Sequence, residues 1–140
     1  MISMRPAVKA DMEALCSLDH IAQQDNGRRR FIRREVAAGN CFVAVMNETV
    51  VGYGVLNYTF FNNGSIDMLY IDSDHRRCGA GAALLRHLES RCQTPKLFTS
   101  TNLSNLPVQS LLAKLGYVLS GVIHNLDEAD PELVYFKRLS

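Results

Sequence analysis

Ser65-Ile66-Asp67-Met68-Leu69-Tyr70-Ile71-Asp72-Ser73-Asp74-His75-Arg76-Arg77-Cys78-Gly79-Ala80-Gly81-Ala82-Ala83-Leu84-Leu85-Arg86-His87-Leu88-Glu89-Ser90-Arg91-Cys92 is the stretch on which the fold turns. Residues 65–71 are apolar and β-prone, with Asp67 as an acidic interruption, and residues 72–78 form a polar loop. Residues 79–92 then set Ala80, Leu84 and Leu88 on one helical face with Leu85 beside them, and turn Arg86, Glu89 and Ser90 outward. A strand, a glycine-bearing loop and a helix follow one another. Backbone N–H groups at a helix start are unpaired and lie at the positive end of its dipole, so such a loop suits a phosphate. Gly79 and Gly81 let an anion approach closely, and Arg76 and Arg77 can add charge-assisted bonds. Two other phosphate loops fit poorly. No Gly-Lys followed by Ser or Thr is present, and Leu84 stands where a dinucleotide fingerprint needs Gly or Ala.

Upstream, residues 3–7 read as a short strand. Met12, Leu15, Leu18 and Ile21 then recur at steps of three and predict a helix over 9–22. Asp25-Asn26-Gly27 breaks that pattern, and a second helix over 28–38 stops at Gly39-Asn40. Residues 41–46 and 50–59 form a hairpin about Asn47-Glu48-Thr49, and Asn62-Asn63-Gly64 turns the chain into the strand at 65–71. Downstream come a strand at 96–100, a helix at 106–115 stopped by Gly116, and strands at 117–123 and 132–138. The order is βααβββαβαββ, an α/β (α+β) chain with a mixed, mostly antiparallel sheet flanked by helices. Parallel pairs are expected from the crossovers on either side of the fifth strand.

The 140 residues, 47% of them hydrophobic, suffice for one core, so residues 1–140 are read as a single domain. Fifteen Lys and Arg against fourteen Asp and Glu leave a net charge of +1, which gives no field for nucleic acid or an anionic membrane. No long apolar segment follows the N-terminus, and a cytoplasmic location is expected. Cys16, Cys41, Cys78 and Cys92 contain no C-x-x-C pair and no His at ligand spacing, so no metal site is expected. With 79–92 helical, Cys78 and Cys92 lie about 20 Å apart, beyond disulfide reach.

The segment from Ser65 to Cys92 resembles motif A of the GNAT N-acetyltransferases, whose signature is Arg or Gln, two residues, Gly, one residue, then Gly or Ala. Arg76, Gly79 and Gly81 fill the three specified places. Asn105-Leu106-Pro107-Val108-Gln109-Ser110-Leu111-Leu112-Ala113-Lys114-Leu115-Gly116-Tyr117 is similar to motif B of that family, with Asn opening the helix and Gly-aromatic closing it. The resemblance implies a GNAT-like fold and acetyl-CoA as co-substrate, held in a V between the strands at 65–71 and 96–100. Its pantetheine arm would pair with Leu69, Tyr70 and Ile71, and its pyrophosphate would meet Arg76, Arg77, Cys78, Gly79, Ala80 and Gly81. Asn105 would lie near the coenzyme arm. The acetyl group would pass directly to a primary amine, with a strand N–H polarising the thioester carbonyl.

An ammonium acceptor must lose a proton before it can attack, and Asp67 is the candidate base, in a position resembling that of an acidic residue in some family members. A structural place at the strand's solvent end is the other reading of Asp67. The family's leaving-group acid is a Tyr seven residues after the motif B Asn, where this chain has Leu112. Tyr117 is the nearby phenol that could replace it, although an aromatic after a helix-ending Gly is more often core. Cys78 lacks an orienting His, His75 borders the loop, and His20, His87 and His124 have no partner visible in the sequence. Arg28, Arg29, Arg30, Arg33 and Arg34 crowd the second helix, and Asp127, Glu128, Asp130 and Glu132 the last turn. Either cluster could recognise an acceptor or simply be solvated. The expected acceptor is a small-molecule amine. A peptide or protein amine, or acyl-CoA binding without turnover, are the alternatives, with a homodimer as the assembly to test for.

Overall fold

The computed structural model describes all 140 residues. Its strands are β1 (Ile2–Pro6), β2 (Cys41–Met46), β3 (Thr49–Phe60), β4 (Asn63–Ile71), β5 (Lys96–Asn102), β6 (Val118–Ile123) and β7 (Glu132–Arg138). Its helices are α1 (Met12–Leu18), α2 (Asn26–Ala37), α3 (Ala80–Arg91) and α4 (Leu106–Lys114), with short 3₁₀ turns at Lys9–Asp11 and Ser73–His75. Element order matches the βααβββαβαββ expectation, and the seven-stranded sheet runs β1-β2-β3-β4-β5-β7-β6. β4 and β5 pair in parallel, whereas β5–β7 and β6–β7 are antiparallel. The crossover through α4 therefore makes no parallel pair with β5, because β7 takes the place beside it.

The contacts gather into two compact units, one of Met1–Leu56 with Met68–Ser90 and one of Asn57–Asp67 with Arg91–Ser140. In the first, Leu15, Ile32, Cys41, Val43, Tyr53 and Val55 are wholly buried and form the centre of a core. Burial pushes the Cys41 thiol up to about 12, so it stays protonated and inert. In the second, the rings of Phe60, Phe98 and Phe136 follow one another at centroid distances of 4.9 and 5.3 Å. All four cysteines are free.

Three of the differences from the expectation have a local reason. The helix predicted over 9–22 ends at Leu18, because the buried Asp19 carboxylate accepts the N–H of Ile21 and Ala22 at 3.0 and 3.2 Å and closes a turn instead. Ile21 is left 39% exposed, outside the stripe to which its spacing assigned it. Asp25-Asn26-Gly27 does not interrupt a helix but starts one, with Asp25 as its N-cap. The turn before β4 is built by Phe61 and Asn62, at φ 53° and 63°, and Gly64 lies within the strand, where a Cβ would run into Cys92 Sγ.

Candidate functional site

In the first unit, the loop from Asp72 to Gly79 is shaped by contacts that begin in β3. A Cβ at Gly54 would lie 2.7 Å from Leu88 Cδ1, and one at Gly52 would lie 2.7 Å from the Tyr70 carbonyl oxygen. At Gly52 only glycine lets the β4 backbone come this close to β3, and at Gly54 any larger residue would displace the Leu88 side chain. Leu84, Leu85 and Leu88 are then fully buried, each contributing about 2 kcal/mol of hydrophobic burial. The start of α3 is thereby anchored beside the end of β4.

Between them the loop is tied down at several points. His75 Nδ1 lies 3.0 Å from Asp72 Oδ2, Cys78 Sγ donates to the His75 carbonyl at 2.6 Å, and Arg76 Nε donates to the Ile71 carbonyl at 3.0 Å. The Arg76 guanidinium stands 5.6 Å from the Tyr70 ring centroid. Arg77 and Gly79 both take positive φ, 66° and 87°, on either side of Cys78. Such a sequence of backbone conformations turns successive N–H groups toward a concavity that suits an anion. Nothing lies within 4 Å of where a Gly79 Cβ would be, so glycine is needed there for its φ, and the space beside it is open.

The helix starts differ in how their orphan amides are satisfied. Asp25 Oδ1 accepts from Gly27 N at 2.8 Å and Arg28 N at 3.3 Å at α2, and Asn105 Oδ1 accepts from Val108 N at 3.3 Å at α4. α3 follows Gly79 directly, and glycine has no side chain with which to cap. Its first amides therefore remain available to a negatively charged ligand. Arg76, Arg77, Cys78 and Gly79 are exposed, Gly81 is half-buried, and Ala80 is buried at 1%, so Ala80 can offer only its backbone. Leu69, Tyr70 and Ile71 are half-buried along β4. No three His, Cys, Asp or Glu side chains gather as a metal ion would require.

In the second unit, Asp67 is exposed and both its oxygens are occupied: Asn57 Nδ2 donates to one at 2.7 Å and Ser65 Oγ to the other at 2.6 Å. Tyr117 is only 3% exposed, with Lys137 Nζ 5.3 Å from its ring centroid. Leu112 is buried at 1%. Two carboxylates of the acidic turn serve the loop itself, since Asn102 Nδ2 donates to Asp127 at 2.8 Å, and the Ser104 N–H and hydroxyl donate to Asp130 at 3.0 and 2.6 Å. On α2, Arg28 faces Asp19, while Arg29 donates to the Ala22 carbonyl and to Asn26.

Sequence reasoning missed a polar cluster in the first unit. His20 Nδ1 lies 2.5 Å from Tyr70 Oη, fifty residues away. Tyr70 stacks on Tyr53 at 6.1 Å, and Tyr53 Oη donates to the wholly buried Asp19 at 2.6 Å. Burial, then the hydrogen bond to Asp19 and its negative charge, raise the Tyr53 phenol well above its ordinary value. Arg28 Nη1, 3.4 Å from Asp19, supplies the opposing charge. His20 thus has a partner after all, and His87 packs edge-on against Phe42 at 5.4 Å. No periodicity links residues 19, 20, 28, 53 and 70, and the apolar stripe runs on past Asp19 to Ile21, so no local signal marked the cluster.

A family model described as the acetyltransferase (GNAT) family matches residues 9–117. The chain is similar to an acetyltransferase of the GNAT family from Bacillus cereus ATCC 10987, at 27% identity and a TM-score of 0.92 over 99% of this chain and 97% of that one. It is similar also to Ard1 from Thermoplasma volcanium, at 18% identity and a TM-score of 0.84 over 98% and 97% of the two chains. A third likeness is to yncA from Salmonella typhimurium, whose structure holds its cofactor acetyl-CoA, at 18% identity and a TM-score of 0.79 over 99% and 94%. No curated protein matches the sequence.

Proposed function

The chain belongs to the acetyltransferase (GNAT) family, and we propose that it moves the acetyl group of acetyl-CoA directly to a primary amine of a small molecule in a ternary complex. The observation that carries this reading is the start of α3, left without a side-chain cap behind Gly79 and flanked by Arg76 and Arg77. The pyrophosphate of the coenzyme supplies the negative charge this start lacks. That the Salmonella structure holds acetyl-CoA supports the choice of cofactor. Leu69, Tyr70 and Ile71 would pair with the pantetheine arm, and a strand N–H aimed at the thioester oxygen would stabilise the developing oxyanion by about 3 kcal/mol. Asn105 would serve both as the α4 cap and near the coenzyme arm.

In this reading the free amine attacks the thioester carbon, the C–N bond forms and the C–S bond breaks. The thiolate can leave unassisted, its conjugate acid having a pKa of about 8.5. Tyr117, buried under Lys137, is assigned to the core rather than to proton donation. The amine still needs a base, and Asp67 offers a carboxylate whose two oxygens are already engaged.

The test is coenzyme A thiol release across a panel of small amines, amino acids and peptides, with Asp67→Asn run beside the wild type. Turnover of small amines in preference to peptides is expected, and preference for peptides would reassign the acceptor to a protein or peptide amine. Leu112, apolar and buried where the family carries its acid, favours a second reading as an acyl-CoA-binding module. Tight coenzyme binding without turnover of any amine would establish it.

A further inference from the structure

With both Asp67 oxygens engaged, the amine's proton lacks a well-placed acceptor there, and the first unit contains a group suited to take it. His20 lies in the segment between α1 and α2 and is exposed, while its ring is held at one nitrogen. Nδ1 is 2.5 Å from Tyr70 Oη, and the His20 backbone N–H donates to the same oxygen at 3.4 Å. The two rings are tilted at 52° with centroids 5.9 Å apart. Tyr70 is itself immobilised between the Tyr53 ring, 6.1 Å away, and the Arg76 guanidinium, 5.6 Å from its centroid.

The backbone that carries His20 is equally fixed. Asp19, with 0% exposure, accepts from Tyr53 Oη, Ile21 N and Ala22 N, and lies 3.4 Å from Arg28 Nη1. Elements α1, α2, β3, β4 and the loop before α3 therefore all contribute to holding one imidazole. The charged and titratable groups around it are Asp19, Arg28, Tyr53, Tyr70 and Arg76. An ordinary surface histidine has no such support.

A phenol oxygen has two lone pairs and one proton. If Nδ1 carries the hydrogen, the His20 backbone N–H and Nδ1–H fill both lone pairs, and Nε2 is left unprotonated with its lone pair exposed. The pair is mounted on Tyr70, in the stretch of β4 assigned above to the pantetheine arm. We propose that His20 Nε2 is the general base of the transfer, that Tyr70 is the residue positioning it, and that Asp67 is not required as a base.

The proton balance is complete without a further reagent. As the neutral amine attacks the thioester carbon, its N–H proton passes to Nε2, the C–S bond breaks, and the thiolate takes a proton from water. The imidazolium then returns its extra proton to solvent, so the products are the amide and the coenzyme thiol. This inference rests on the acetyl-transfer reading, and its test separates the two.

Histidine nitrogens resolved by long-range ¹H–¹⁵N NMR of the full chain are expected to show His20 as the Nδ1–H tautomer. Tyr70→Phe keeps the ring and removes the oxygen, and should return His20 to a mixture of tautomers. A dominant Nε2–H tautomer in the wild type would overturn the assignment, whether or not an acceptor has been found. With the best amine of the panel, His20→Gln should lower kcat/KM by about a hundredfold or more. The melting shift produced by acetyl-CoA should persist in His20→Gln. Its loss from the wild type would instead defeat the cofactor reading. A His20→Gln enzyme with the wild-type kcat/KM, or an Asp67→Asn enzyme with the hundredfold loss, would overturn the inference. Imidazole in the buffer should partly restore the rate of His20→Ala.

Discussion

α2 and α3 are both twelve-residue helices that follow a loop, yet their first turns are completed in opposite ways. At α2 the chain satisfies itself: Asp25 folds back onto the amides of Gly27 and Arg28. At α3 the preceding residue is Gly79, whose φ of 87° suits the bend and which has nothing with which to cap. Cations gather at both starts, but at α2 they are absorbed internally, Arg28 by Asp19 and Arg29 by the Ala22 carbonyl and Asn26. At α3, Arg77 is exposed and Arg76 uses only its Nε and its face locally. Two starts of similar composition thus play different parts. A self-capped start is structural, and an uncapped one retains capacity for an anion.

The largest test of that contrast is Gly81→Glu, which brings bulk and negative charge to the open start. A ligand bound only by the native state raises the melting temperature with the logarithm of its concentration. The shift produced by acetyl-CoA in the wild type should disappear in this variant, with the fold intact by circular dichroism. A retained shift would move the coenzyme away from α3. Asp25→Ala should do the reverse: stability falls by about 1 kcal/mol in urea denaturation, as for loss of an N-cap, while the acetyl-CoA shift stays. If the shift were lost with Asp25, the division between structural and binding starts would fail.

The smallest effect concerns a third filled start, the 3₁₀ turn at Lys9–Asp11. Arg5 donates to Asp11 at 2.8 and 3.0 Å, and the Val8 N–H does so at 2.8 Å. The hydrogen bond from Arg5, joined by the Val8 bond and the Arg5 charge and opposed by burial, holds the Asp11 carboxyl below its usual value. A carboxylate depressed in the folded state adds stability above its unfolded pKa of about 3.9, and that stability is lost as pH falls through the folded value. Because Arg5 is 46% exposed, the contribution should be under about 1 kcal/mol. Asp11→Asn should be less stable than the wild type at pH 7, with the difference closing in acid. An unchanged difference at pH 2 would assign the effect to packing.

Much of the architecture was legible because its signals are local. Runs of β-prone residues mark β2 and β7, whose bounds match the expectation residue for residue, and Gly39, at φ 78°, ends α2 as a C-terminal glycine should. The glycine loop was legible for the same reason, since its cations, its glycines and its helix lie within one short stretch. The cluster of Asp19, His20, Tyr53 and Tyr70 was not, because its members meet only through packing of distant elements. Reading Asp25-Asn26-Gly27 as a break failed on a local ambiguity, for the same residues that end one helix can cap the next.

By itself the sequence determined the order of elements, the place of the glycine loop and the absence of a Tyr at position 112, since periodicity, glycine and residue identity act over a few positions. Tertiary structure alone decided that β7 stands beside β5, that Asp67 has both oxygens engaged, that Tyr117 is buried, and that His20 is held by a phenol fifty residues away. Strand order and the pairing of remote polar groups depend on which surfaces are buried together. A local pattern records that a face is to be buried, and only the assembled fold selects its partner.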